Sequence, residues 1–194
     1  IVFASKLATI LLTTIVTILT ARVLGVNIWG QITLIPNLAN FIIIPMIFGI
    51  NNSMVKFLPL SDDEERKNII SAAIIVNIVL CAFIVIIFLL FGQFIMELLN
   101  IPIKFLRWVI LMSVAMNFCI LSDSFLRGTK KFKDIAIYKL LSAIILIVAI
   151  LLLYFVFSIL NPYTYIICVS AHYMFFAIIA FIKSGVNKIT LNKQ

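Results

Sequence analysis

Residues 68–91 read NIISAAIIVNIVLCAFIVIIFLLF, an apolar stretch without a single charged side chain. A helix rising about 1.5 Å per residue needs about 20 residues to cross a hydrocarbon core of about 30 Å, so this stretch is a membrane span. No water is available in that core to satisfy backbone N–H and C=O groups, and a helix pairs them within the segment. Upstream, the same ruler finds spans at Ile1–Ala21 and Gly30–Phe48. Downstream it finds Phe105–Leu121, Ile135–Leu160 and Pro162–Ile182. The expected fold is an all-α integral membrane protein, a bundle of six transmembrane helices forming a single transmembrane domain.

Composition agrees. Of 194 residues, 64% are hydrophobic and only 11% charged, too little polar surface to cover a soluble globule of this size. The net charge of +8 would suggest nucleic acid in a soluble protein, but a cationic excess is also what cytoplasmic loops supply to a membrane protein, and no nucleic-acid partner is expected. Cys81, Cys119 and Cys168 are far apart inside apolar runs, which gives neither a disulfide framework nor a metal-ligand spacing. Ile1 to Thr20 lacks a small-residue cleavage pattern and is followed by further spans, so it reads as the first helix rather than a signal peptide. The sequence begins with Ile, and the expectation is a natural amino terminus lying upstream.

Alternate connections differ sharply in charge. Lys6, Lys56, Arg66, Lys67, Arg127, Lys130, Lys131, Lys133, Lys139, Lys183, Lys188 and Lys193 fall on one side, against Arg22, Lys104 and Arg107 on the other. By the positive-inside rule both termini are expected in the cytoplasm. The second span is expected to continue past Gly49 toward Pro59, kinked near Pro45 or Gly49. Ser61-x-x-Glu64 reads as a capping box for the third helix, with Asp62, Asp63 and Glu65 adding negative charge at its start. Gly92 to Pro102 suits a short helix lying in the outer interface. Pro162 is placed to open the last helix, where its missing N–H is no loss.

Polar residues within spans are the functional candidates, because hydrocarbon penalises them unless they are partnered or wetted. Ser5, Thr9, Thr13, Thr17 and Thr20 form one helical stripe, suited either to close helix packing or to facing a hydrated cavity. Asn37, Asn40, Asn77, Asn117 and His172 suit either interhelical hydrogen bonds or an aqueous path. Charges recur at helix ends, at Arg22, Lys56, Asp123 and Arg127. Asp123 and Arg127, four apart, can pair if the fourth helix extends into the loop. Catalytic signatures are missing: there is no zinc-protease His pair, no phosphate-cradling glycine loop and no nucleophile with its base.

Ala21-Arg22-Val23-Leu24-Gly25, then Trp29-Gly30, and later Leu126-Arg127-Gly128 ahead of the fifth helix, resemble the polysaccharide exporters, or oligosaccharide flippases, of the multidrug/oligosaccharidyl-lipid/polysaccharide superfamily. The resemblance runs over essentially the whole chain. It implies one lobe, the amino-terminal one, of a two-lobed transporter that flips undecaprenyl-diphosphate-linked oligosaccharide for surface polysaccharide. A missing carboxyl-terminal lobe or a second copy would complete it. It also implies a bacterial or archaeal inner membrane, a proton or sodium gradient as drive, and glycan polymerase and glycosyltransferases as neighbours. On that footing Arg22 and Lys56 are expected to meet the anionic head, Asn40 and Asn77 to give the cavity its polarity, and Asp123 with Arg127 to form a gate. No other cofactor, metal or catalytic residue is expected. Rival readings are a multidrug or peptidoglycan-precursor transporter of the same superfamily and, from another class, a membrane-embedded glycosyltransferase or polymerase.

Overall fold

The computed structural model describes residues 2–155 and 161–184 and is helical throughout its ordered elements. The end of the expected fifth span, 156–160, lies outside the described residues, as do Ile1, Lys188, Lys193 and the side chains of Ser5 and Lys183. Among the described residues six helices are long and apolar enough to cross a membrane. The first, α1 (Val2–Leu24), passes into α2 (Val26–Ile47) through Gly25 alone. Gly25 has φ 81° and ψ 155°, a conformation essentially closed to residues with a Cβ. Its N–H donates to Ala21 O and its own carbonyl accepts from Trp29, so Gly25 closes the last turn of α1 and opens the first turn of α2.

The expected second span is broken rather than kinked. It stops at Ile47, Phe48 and Gly49 both take left-handed backbone (φ 41° and 78°), and α3 (Ile50–Phe57) starts afresh. Pro45 brings no N–H to the last turn of α2, which weakens the ladder where it ends. The break is supported from across the bundle: Asn77 Nδ2 donates to Met46 O at 3.3 Å. Asn77 and Asn117 also exchange amide hydrogen bonds of 3.2 and 3.0 Å, and both side chains are fully buried.

After a 3-10 turn, Leu58–Leu60, α4 (Asp63–Leu98) runs for 36 residues, about 54 Å of helix. Two expectations are corrected here. The N-cap is Asp62, whose Oδ1 accepts from the N–H groups of Glu64 and Glu65, while Ser61 turns back to donate to Phe57 O. Asp62 holds two helix-start donors with one charged acceptor, and this displaces the expected capping box. Nor does Gly92–Pro102 form a separate interfacial helix. α4 continues through Gly92 and ends in a left-handed Asn100 (φ 54°), with Asn100 N–H on Glu97 O and Ile101 N–H on Met96 O.

A second 3-10 turn, Ile103–Phe105, leads into α5 (Leu106–Gly128), which is longer than the expected span ending at Leu121. The polar residues that seemed to mark a loop are accommodated as helix. Ser122 and Ser124 return hydrogen bonds to the carbonyls of Phe118 and Ile120, and Asp123 pairs with Arg127 one turn on. α5 is the centre of the bundle, with most of its side chains buried against α2, α3 and α7. α6 (Phe132–Phe155) follows, and α7 (Pro162–Ser184) is opened by Pro162 with Asn161 Oδ1 accepting from Tyr163 and Thr164.

The surface inverts that of a soluble protein. Val79, Leu89 and Leu90 of α4, and Ile10, Leu11 and Ile15 of α1, stand exposed, a lipid-facing exterior that a chain in water would have to bury. Small residues carry the close contacts. A Cβ on Gly128 would lie 2.8 Å from Met54 O and 2.7 Å from Leu58 Cδ1, so the end of α5 abuts α3 at backbone distance.

Candidate functional site

Besides the buried Asn77–Asn117 pair, three places carry polar groups within reach of a ligand. The first is the end of the bundle where α5 turns into α6. Asp123 is mostly buried, its side chain 13% exposed, and is held between two cations. Arg127 Nε donates to Oδ2 at 2.6 Å, and the Lys139 ammonium stands 2.8 Å from Oδ1. Lys139 also sits 5.6 Å from the centre of the Phe176 ring. Arg127, Lys139, Lys6 and Thr9 line a groove of ≈ 410 Å³ between α1, α5 and α6, whose remaining walls are Ile10, Phe132, Ile135 and Ala136. With three cations and one carboxylate, the groove carries a surplus of two positive charges.

The second place is the opposite end. There Lys104, Arg107, Trp108, Leu111 and Tyr163 line a groove of ≈ 400 Å³, with the Trp108 and Tyr163 rings 5.3 Å apart. Trp29 meets Tyr165 edge-on at 5.4 Å, fastening the α1–α2 junction to the start of α7. Arg22 is exposed at this end. The third place is the exposed face of α2, where Asn37 and Asn40 stand among Phe41, Ile44 and Phe48.

The expected site residues are therefore dispersed. Arg22 precedes α2 and Lys56 follows it in α3. α2 itself is 22 residues, about 33 Å, so one anionic group does not touch both in this conformation. Asn40 is exposed, whereas Asn77 is fully buried with its amide committed to Met46 and Asn117. Asp123 and Arg127 do meet. The hydroxyls of Thr13, Thr17 and Thr20 donate to carbonyls three or four residues back, and Thr20 is fully buried. Thr9 and Thr13 are half-buried and Thr17 is exposed, so the stripe does not face one medium. His172 Nδ1 lies 2.9 Å from Ser142 O; a carbonyl can only accept, so this nitrogen donates and ties α7 to α6.

Sequence reasoning counted Lys139 only as a loop charge and missed it as the second partner of Asp123. The signal was its place inside an apolar run, four residues past the expected helix start, where a lone ammonium needs a counter-ion. Among the described residues no group of three or more His, Cys, Asp or Glu could hold a metal ion.

Six apolar helices among the described residues, a lipid-facing exterior and buried polar side chains paired within the bundle define a multi-pass helical membrane protein. Within that class, the chain belongs to the polysaccharide biosynthesis protein family, whose sequence profile matches residues 1–193, the flippase-like domain of the superfamily already named. Comparison with curated proteins and with solved structures finds no match. The glycines of the resemblance have structural work to do: Gly25 joins α1 to α2 in an extended conformation of positive φ, and Gly128 admits the α3 backbone.

Proposed function

We propose that the chain is the amino-terminal lobe of a transporter that moves undecaprenyl-diphosphate-linked oligosaccharide from the inner to the outer leaflet, with its basic end in the cytoplasm. The observation that carries this reading is the broken helix α2–α3. Its exposed face offers Asn37 and Asn40, while Asn77 secures the break from behind. Discontinuous helices inside transporters place backbone polar groups and flexible joints where a hydrophilic cargo passes. A sugar diphosphate head cannot enter hydrocarbon unaided, whereas its polyprenyl tail stays in lipid. A second lobe, from further chain or another copy, would face α1 and α2 and close the cavity, rocking against this one under a proton or sodium gradient.

In this scheme Arg22 and Lys56, set at opposite ends of α2–α3, meet the diphosphate successively rather than together, with Arg22 able to engage it bidentately. Asn40 faces the sugar, and Asn77 serves by holding the break. The test is export in cells that depend on the full-length parent protein for a surface glycan. Arg22→Ala and Lys56→Ala are each expected to abolish surface glycan and to accumulate the lipid-linked precursor in the inner leaflet, with normal membrane insertion. Wild-type export from both variants overturns the assignment.

A further inference from the structure

We propose that the groove between α1, α5 and α6 is a binding site for the doubly charged phosphate head of a membrane lipid, with Lys6, Arg127 and Lys139 as its ligands and Asp123 as their internal counter-ion. The ion cluster does not need this position to stabilise the fold, since an apolar residue in place of Asp123 would pack as well without desolvating a carboxylate. What the arrangement achieves is orientation. Asp123 holds Arg127 and Lys139 at 2.6 and 2.8 Å from its two oxygens, so neither long side chain is free to wander. Both cations nevertheless remain accessible, with 51% and 40% of their side chains exposed.

Charge and position select the ligand. The groove's surplus of two positive charges matches a phosphate monoester or a diphosphate, and exceeds what a singly charged diester head neutralises. Lys6 stands near the start of α1 and Phe132 opens α6, so the mouth lies at a helix end, the level of lipid phosphates. Lys139 reaches it from about two turns deeper. The other walls, Ile10, Phe132, Ile135 and Ala136, are apolar, and Ile10 and Phe132 are about half exposed to the lipid side. A free phosphate ion would leave that surface without use, whereas a lipid lays its chain along it. The site stands apart from the α2 face used in the transport scheme and does not depend on it.

The test uses the full chain in nanodiscs of phosphatidylcholine carrying either phosphatidic acid or phosphatidylglycerol, with protein-bound lipid read by native mass spectrometry. Phosphatidic acid is expected to be retained over phosphatidylglycerol, and millimolar inorganic phosphate is expected not to displace it. Lys6→Gln, an exposed change at the groove mouth, is expected to weaken retention about tenfold, the effect of losing one charge-assisted contact. Lys133→Gln, which removes the same charge outside the groove, is expected to change it far less. Asp123→Asn keeps one oxygen able to hold a cation while raising the groove's positive surplus from two to three, and is expected to increase retention because the added attraction outweighs the loosened orientation, whereas a purely structural ion cluster would lose stability with no gain in lipid. Equal retention of the two lipids, displacement by inorganic phosphate, equal effects of the two lysine changes, or no gain from Asp123→Asn each overturns the proposal.

Discussion

Adding one methyl group should have opposite effects at two glycines of this bundle. At Gly128 a Cβ would meet Leu58 Cδ1 at 2.7 Å, Met54 O at 2.8 Å and Leu58 Cβ at 3.0 Å. The Leu58 methyl could rotate only into a site where that side chain is fully buried, and Met54 O is backbone, so relief requires moving α3 as a body. Overpacking of this kind costs about 1–3 kcal/mol, from which up to about 1 kcal/mol is recovered because alanine favours helix over glycine. The net expectation for Gly128→Ala is a loss of about 1–2 kcal/mol. At Gly30 nothing lies within 4 Å of the added Cβ, so Gly30→Ala should be neutral or stabilising by up to about 1 kcal/mol. Thermal melting of the detergent-solubilised chain, followed by loss of the monodisperse peak on size exclusion, reads both. Gly128→Ala should melt several degrees below the parent and Gly30→Ala at or above it. A Gly128→Ala protein as stable as the parent would refute the backbone contact between α5 and α3.

Asn77→Leu should leave Asn117 buried without its amide partner and Met46 O without its donor, lowering stability by about 1–2 kcal/mol. Asn77→Leu combined with Asn117→Leu should be less damaging than the two single losses added, and strict additivity in the same melting assay would show that the amides do not pair. At the start of α4, Asp62→Ala should cost about 1 kcal/mol and Ser61→Ala much less, because Asp62 accepts both helix-start N–H groups. Equal losses from the two changes would restore the capping box centred on Ser61.

Much of this architecture is written in features that act along one helix at a time. Span length is such a feature, and so is Pro162 at a helix start: each works through local backbone geometry and hydropathy, which a single sequence displays. The i, i+4 spacing of Asp123 and Arg127 is local in the same way, and that pair forms once α5 is seen to run on to Gly128. Partnerships between helices left only half a trace. Asn77 and Asn117 are each visible as polar residues in apolar runs, yet their mutual bond and the hold on Met46 O depend on the register of three helices. Lys139 went unread for a different reason, since a charge near a span boundary counts equally well as loop or as helix until its counter-ion is located. The same ambiguity hid the break at Phe48 and Gly49, because a proline and a glycine near a helix end suit a kink or a stop equally well. What decides between them is whether something across the bundle satisfies a carbonyl that a stop releases, and here Asn77 does so for Met46 O. The polar residues that direct the path of the backbone are thus the ones whose roles lie furthest from their sequence neighbours. Substitutions at Asn77, Asn117 and Asp123 should accordingly alter the geometry of the α2 break and of the end groove before they alter any contact with cargo.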